Sequence, residues 1–123
     1  MKCRFIPGLS VIVLAASLAP TLAMAGNCLS RPKSFVLQSD TVEWSMVLGR
    51  GSQCIQGLRG GTMVLESIAV LEQPKAGLIV LQGPSFRYSA GPEVGSDSFK
   101  IAIVGTSGHM HGSSIVAVDV QVR

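Results

Sequence analysis

The chain reads as an all-β protein, a sandwich of short antiparallel strands preceded by a removable leader. Three observations predict this. Apolar residues recur with period two, Gly and Pro punctuate the sequence at short intervals, and nothing beyond the leader carries a helical period.

Residues 1–25 have the form of an export signal. Lys2 and Arg4 supply a positive start, Leu9 to Leu18 an apolar run of signal length, and Ala23-Met24-Ala25 a small-residue cleavage site. Pro7 and Pro20 bracket the run well short of the roughly 20 residues a membrane helix needs. Cleavage after Ala25 would leave residues 26–123 as one domain, periplasmic or secreted, with no membrane insertion. Cys28 does not read as a lipid anchor, because Asn27 precedes it where a small Gly or Ala is expected.

Ten basic and seven acidic residues give the whole chain a formal charge of +3. Loss of Lys2 and Arg4 with the leader would reduce this to about +1, so the basic character belongs largely to the signal. The remaining cations are scattered, and Trp44 and Tyr88 are the single Trp and Tyr. No basic stripe with interleaved aromatics exists to bind nucleic acid.

Cys3 would also leave with the leader, and Cys28 and Cys54 then remain as the only possible pair. In an oxidising compartment they are expected to form a disulfide, which small exported domains use to supplement a modest core. They lack the C-x-x-C spacing of a redox dithiol.

Strands follow in order. Val42, Trp44, Met46 and Leu48 alternate with Glu43, Ser45 and Val47, which makes Trp44 a core residue of a half-buried strand. Val64 to Leu71 is a second apolar run. Pro74 and Gly77 mark a turn before Leu78 to Leu81, and Gly83-Pro84 another before Ser85 to Ser89. Beyond the Gly91-Pro92 loop, Phe99, Ile101 and Ile103 oppose Lys100, Ala102 and Val104. Last, Val116, Val118, Val120 and Val122 oppose Ala117, Asp119 and Gln121. The segment Gly57-Leu-Arg-Gly-Gly61 reads as a turn and not as a phosphate loop.

Three pieces of this second half form a pattern: Gln73-Pro74-Lys75-Ala76-Gly77, then Phe86-Arg87-Tyr88, then Gly95-Ser-Asp97-Ser-Phe99 entering the strand Lys100 to Val104. The pattern resembles the end of a bacterial immunoglobulin-like, cadherin-like repeat, with P-x-x-G, two short strands, a Tyr and G-x-D-x-F. The resemblance covers Ile68 to Val122. It implies an immunoglobulin-like antiparallel β-sandwich, a scaffold that hosts many unrelated functions. It places Gly77 and Gly95 at turns that demand positive φ or a close backbone approach, and Asp97 as a loop organiser accepting backbone hydrogen bonds. Asp97 and Glu93 are too few carboxylates in that loop for a calcium site.

Gly108-His109-Met110-His111-Gly112 connects the last two strands. Two His at i and i+2 share a face in extended backbone, and with the thioether between them could bind a soft or borderline metal such as copper. The plainer reading is a Gly-rich loop with polar tips, and no other cofactor is expected. No G-x-S-x-G elbow or phosphate loop is present, and both His lie on one loop, so the chain is not expected to be an enzyme. The expected function is an exported, non-enzymatic binding module of the envelope or extracellular space with a protein partner. The alternatives are periplasmic copper binding through His109 and His111, and a structural accessory domain of a surface assembly. No motif specifies the partner or the oligomeric state.

Overall fold

The computed structural model describes residues 28–59 and 62–123. The signal read at residues 1–25 lies outside them, as do residues 60 and 61 of the turn expected at 57–61. Among the described residues there are eight strands and no helix. They are β1 (Cys28–Arg31), β2 (Asp40–Leu48), β3 (Gln53–Gly57), β4 (Met63–Glu72), β5 (Leu78–Gln82), β6 (Ser85–Ser89), β7 (Gly95–Ser107) and β8 (Met110–Val122). Five make one sheet in the order β1-β2-β8-β7-β4, and three make the other in the order β3-β6-β5. The two pack as a sandwich.

The alternation seen in the sequence decides which face is buried. Trp44, Met46 and Leu48 on β2, Phe99, Ile101 and Ile103 on β7, and Val116, Val118 and Val120 on β8 are all at most 4% exposed. The small sheet answers them with Phe86 and Tyr88. Phe99 joins the layers, edge-on to Phe86 with ring centroids 5.3 Å apart and stacked on Tyr88 at 5.7 Å. Each such side chain contributes roughly 1.5–3 kcal/mol by leaving water. Trp44 donates its indole Nε1–H to the Lys33 carbonyl at 2.8 Å, so its one polar atom is satisfied inside the core.

One expectation needs correction: the large sheet is not wholly antiparallel. β2 runs parallel to β8 over nine rungs, from Asp40 opposite Ser114 to Leu48 opposite Val122. Direction is forced only where a tight turn joins two strands. Between β2 and β8 the chain crosses repeatedly from sheet to sheet, which frees them to run the same way. Period-two burial is identical for either direction.

Two bulges, between Leu65 and Ser67 and between Val70 and Glu72, interrupt the pairing of β4 with β7. The β7–β8 hairpin is tighter than a flexible loop. Ser107 pairs with Met110, leaving Gly108 and His109 as a two-residue turn. Gly108 has φ of 65°, which suits the first central position of such a turn.

β1 is short and lies at the sheet edge, and it is tied down covalently. Cys28 is bonded to Cys54 on β3, with Cα atoms 5.6 Å apart and 26 residues of separation. Ser30 Oγ–H donates to Gln56 Oε1 at 2.7 Å beside it. Closing a loop of this length is worth about 3.5 kcal/mol on chain-entropy grounds. The double variant Cys28→Ala/Cys54→Ala is expected to lose about 3–4 kcal/mol in urea denaturation while keeping its far-ultraviolet circular dichroism. A loss under about 1 kcal/mol would show that strand pairing alone holds β1.

Candidate functional site

The residues of the Pro74–Phe99 pattern converge on one carboxylate. Asp97, buried on the inward side of β7, accepts hydrogen bonds from the amides of Lys75 (2.8 Å), Ala76 (3.2 Å) and Gly77 (2.9 Å) in the β4–β5 loop. It also accepts the Tyr88 hydroxyl at 2.7 Å and the Ser98 amide at 2.9 Å. Pro74 enters this loop, and Gly77 allows it to close. A Cβ at Gly77 would collide with the Tyr88 ring and lie 2.6 Å from the Ser89 carbonyl oxygen. Gly95 opens β7 with φ of 150°, and Phe99 follows Asp97 into the core. Burial disfavours the Asp97 carboxylate, but the hydrogen bonds from Tyr88, Gly77, Lys75 and Ser98 outweigh it and hold its pKa below the ordinary value. The same burial, with the Asp97 charge beside it, pushes the Tyr88 hydroxyl up. This node is structural: every acceptor position faces a group of the chain itself.

A second carboxylate does similar work at the start of β2. Asp40 accepts the amides of Val36 and Gln38 at 3.0 Å each and the Ser114 hydroxyl at 2.6 Å. Ser114 Oγ in turn accepts the Leu37 amide at 2.9 Å. Leu37 and Ser39 adopt φ of 58° and 60°, a strained region for residues with side chains, and the network holds them there. Burial raises the Asp40 pKa, yet the bonds from Ser114, Gln38 and Val36 prevail and bring it down to about 2. Nothing in the sequence distinguished Asp40 from an ordinary polar strand start.

At the hairpin, His111 lies on β8 opposite Thr106, and both meet Glu66 of β4. Glu66 Oε1 is 3.0 Å from His111 Nε2, and Glu66 Oε2 accepts the Thr106 hydroxyl at 2.6 Å. The Thr106 bond, then that of His111, lowers the Glu66 pKa. His109 sits exposed in the turn. Met46 is buried in the core and Asp119 pairs with Ser98 far along the sheet, so neither approaches the two His. Among the described residues, no three of His, Cys, Asp or Glu already stand together as a metal-holding group.

The outer faces of the two sheets differ. Glu43, Glu72, Lys100 and Asp119 give the large sheet a mixed, solvated surface, with Lys100 Nζ 3.4 Å from Glu72. On the small sheet, the register aligns Ile55, Arg87 and Val80 across β3, β6 and β5 on the outside. Among the described residues of these three strands Arg87 is the one charged residue on that face, and its buried Nε finds no acceptor among them. Ile55 is 65% exposed and Leu78 61%. Residues 76–86, which include all of β5, carry no charge. Beside β5 a cleft of about 490 Å³ opens toward β4, lined by Arg59, Leu65, Ile68, Leu81 and Pro84 among others.

Compared with known proteins, the chain matches no protein-family model, and no curated protein matches it.

The two aspartates make stability depend on acid. Both ionise more readily in the folded chain than in the unfolded one. Their contribution is therefore full above pH about 4 and is lost as pH falls through their folded values, near 2 for Asp40. Asp40→Asn is expected to flatten the fall in unfolding free energy between pH 4 and 2, by about 2 kcal/mol. Asp97→Ala leaves the Tyr88 hydroxyl and the loop amides without their acceptor. At pH 7 it is expected to cost at least about 3 kcal/mol, against about 1 kcal/mol for Tyr88→Phe. Equal losses in those two variants would refute the hub role of Asp97.

Proposed function

We propose that this chain is an exported, non-enzymatic interaction module with an immunoglobulin-like, cadherin-like fold. Its protein partner would dock on the outer face and free edge of the small sheet. Strand order supports the fold reading. A β3-β6-β5 sheet facing β2-β8-β7-β4 matches an immunoglobulin-type sandwich whose first strand has moved beside its last. The convergence of Pro74, Gly77, Tyr88 and Asp97 on one node supports the resemblance carried by those residues. Two features differ from antibody domains: the disulfide joins β1 to β3 instead of linking the two sheet centres, and Trp44 lies on β2. The signal-like residues 1–25 and the disulfide both favour the periplasm or the extracellular space.

The observation that carries the docking face is its lack of protection. Sheet edges are ordinarily blunted by charge, Pro or bulges. β4 has two bulges with Glu66 and Glu72, and β3 is tied to β1 by the Cys28–Cys54 bond and the Ser30–Gln56 hydrogen bond. β5 has no charge and no bulge and, among the described residues, no partner strand on its outer side. A partner segment adding to β5 as a strand would complete its hydrogen bonds, cover Leu78 and Ile55, and place an acidic residue against Arg87.

The protein purified from its own envelope fraction should retain such a partner in stoichiometric amount by native mass. Ile55→Asp and Arg87→Glu are each expected to release it with the melting temperature little changed, and Glu43→Lys on the opposite face to retain it. Retention in the first two variants, or loss in the third, would overturn the assignment.

A further inference from the structure

We propose that Glu66 and His111, completed by His109, form a binding site for a borderline divalent transition metal such as Cu(II), Ni(II) or Zn(II). The site lies on the large sheet; Glu66 also lines the cleft beside β5, whereas His109 and His111 do not, and the inference does not rest on the docking reading.

The first ligand pair is already assembled. The bulge between Leu65 and Ser67 takes Glu66 out of the regular ladder, and its carboxylate reaches past β7 to His111 on β8. Oε1 and Nε2 are 3.0 Å apart. Two ligands of a tetrahedral ion with bonds of about 2.0–2.1 Å stand about 3.3 Å apart, so an ion replaces the shared proton with little widening. Thr106, bonded to the other carboxylate oxygen at 2.6 Å, fixes the orientation of Glu66 as supporting residues do at metal sites.

His109 supplies the third ligand. It is exposed at the second position of the turn, two residues from His111 and between Gly108 and Gly112. Because no group of three is preassembled among the described residues, this ligand must move in with the ion, and water fills the remaining position. Met110 is excluded. It pairs with Ser107, one rung from the Thr106–His111 pair, and so projects from the opposite face. The donor set is two imidazoles and a carboxylate, which selects borderline divalent ions over Cu(I) and puts Glu66 in place of the thioether of the copper alternative read from the sequence.

Calorimetric titration of the chelator-free, disulfide-bonded protein with CuCl₂, NiCl₂ and ZnCl₂ tests this. One ion per chain is expected for at least one metal. Glu66→Gln, His109→Ala and His111→Ala should each weaken binding at least about tenfold, and Met110→Leu should leave it unchanged. All four positions are exposed, and the metal-free melting temperature of each variant confirms that it folds. Thr106→Val, a milder change beside the site, should weaken binding by a smaller factor. No binding in the parent protein, full affinity in Glu66→Gln, or a loss in Met110→Leu equal to that in His111→Ala would each overturn the site.

Discussion

Five hydrogen bonds end on the carboxylate of Asp97, three of them from consecutive amides of the loop that carries the chain from the large sheet to the small one. A buried carboxylate is costly unless its oxygens are filled, and here they are filled from three separate parts of the chain. The β4–β5 loop, the β6 hydroxyl and the entry to β7 must therefore be placed together or not at all. Phe99, two residues on, sets the stacking with Tyr88 and the edge contact with Phe86 from the same anchor. The packing of the small sheet against the large one depends on this constraint.

Asp40 repeats the device on β2. Asp40 faces Ser114 across β2–β8 and takes its hydroxyl, while Asp97 is in register with Val120 about 20 Å further along β8 and turns its carboxylate to the small sheet and the β4–β5 loop. Between them the inward row of valines supplies nondirectional burial. The directional bonds at Ser114 select one register from those the valines would accept.

Much of this was legible because most strands are half-buried. Where one face meets the core and the other meets water, period two survives in the residues, as in Val42–Leu48, Phe99–Val104 and Val116–Val122. β1 and β3 were not legible: Cys-Leu-Ser-Arg and Gln-Cys-Ile-Gln-Gly are too short and mixed to show a period. The parallel β2–β8 pair was hidden because alternation has no direction. Asp97 stood out through the Pro, Gly and Tyr that frame it. Asp40 had no such frame, and Glu66 looked like any outward residue of β4, since its bulge is defined only against β7. The small-sheet face depends on which strands are neighbours, which no local pattern records.

The pairing of β2 with β8 also governs how the domain meets a pull. Tension along the chain draws two adjacent parallel strands in opposite senses, so their rungs are loaded together in shear and not peeled one at a time. The Cys28–Cys54 bond changes that path, because a pull arriving at Cys28 passes covalently to the other sheet and bypasses β2. Oxidised, the domain keeps the segment between these cysteines, about 90 Å of chain when extended, out of reach of force. Reduced, it pays that length out only after the β2–β8 ladder shears, which makes the redox state of one bond the setting for its mechanical reach.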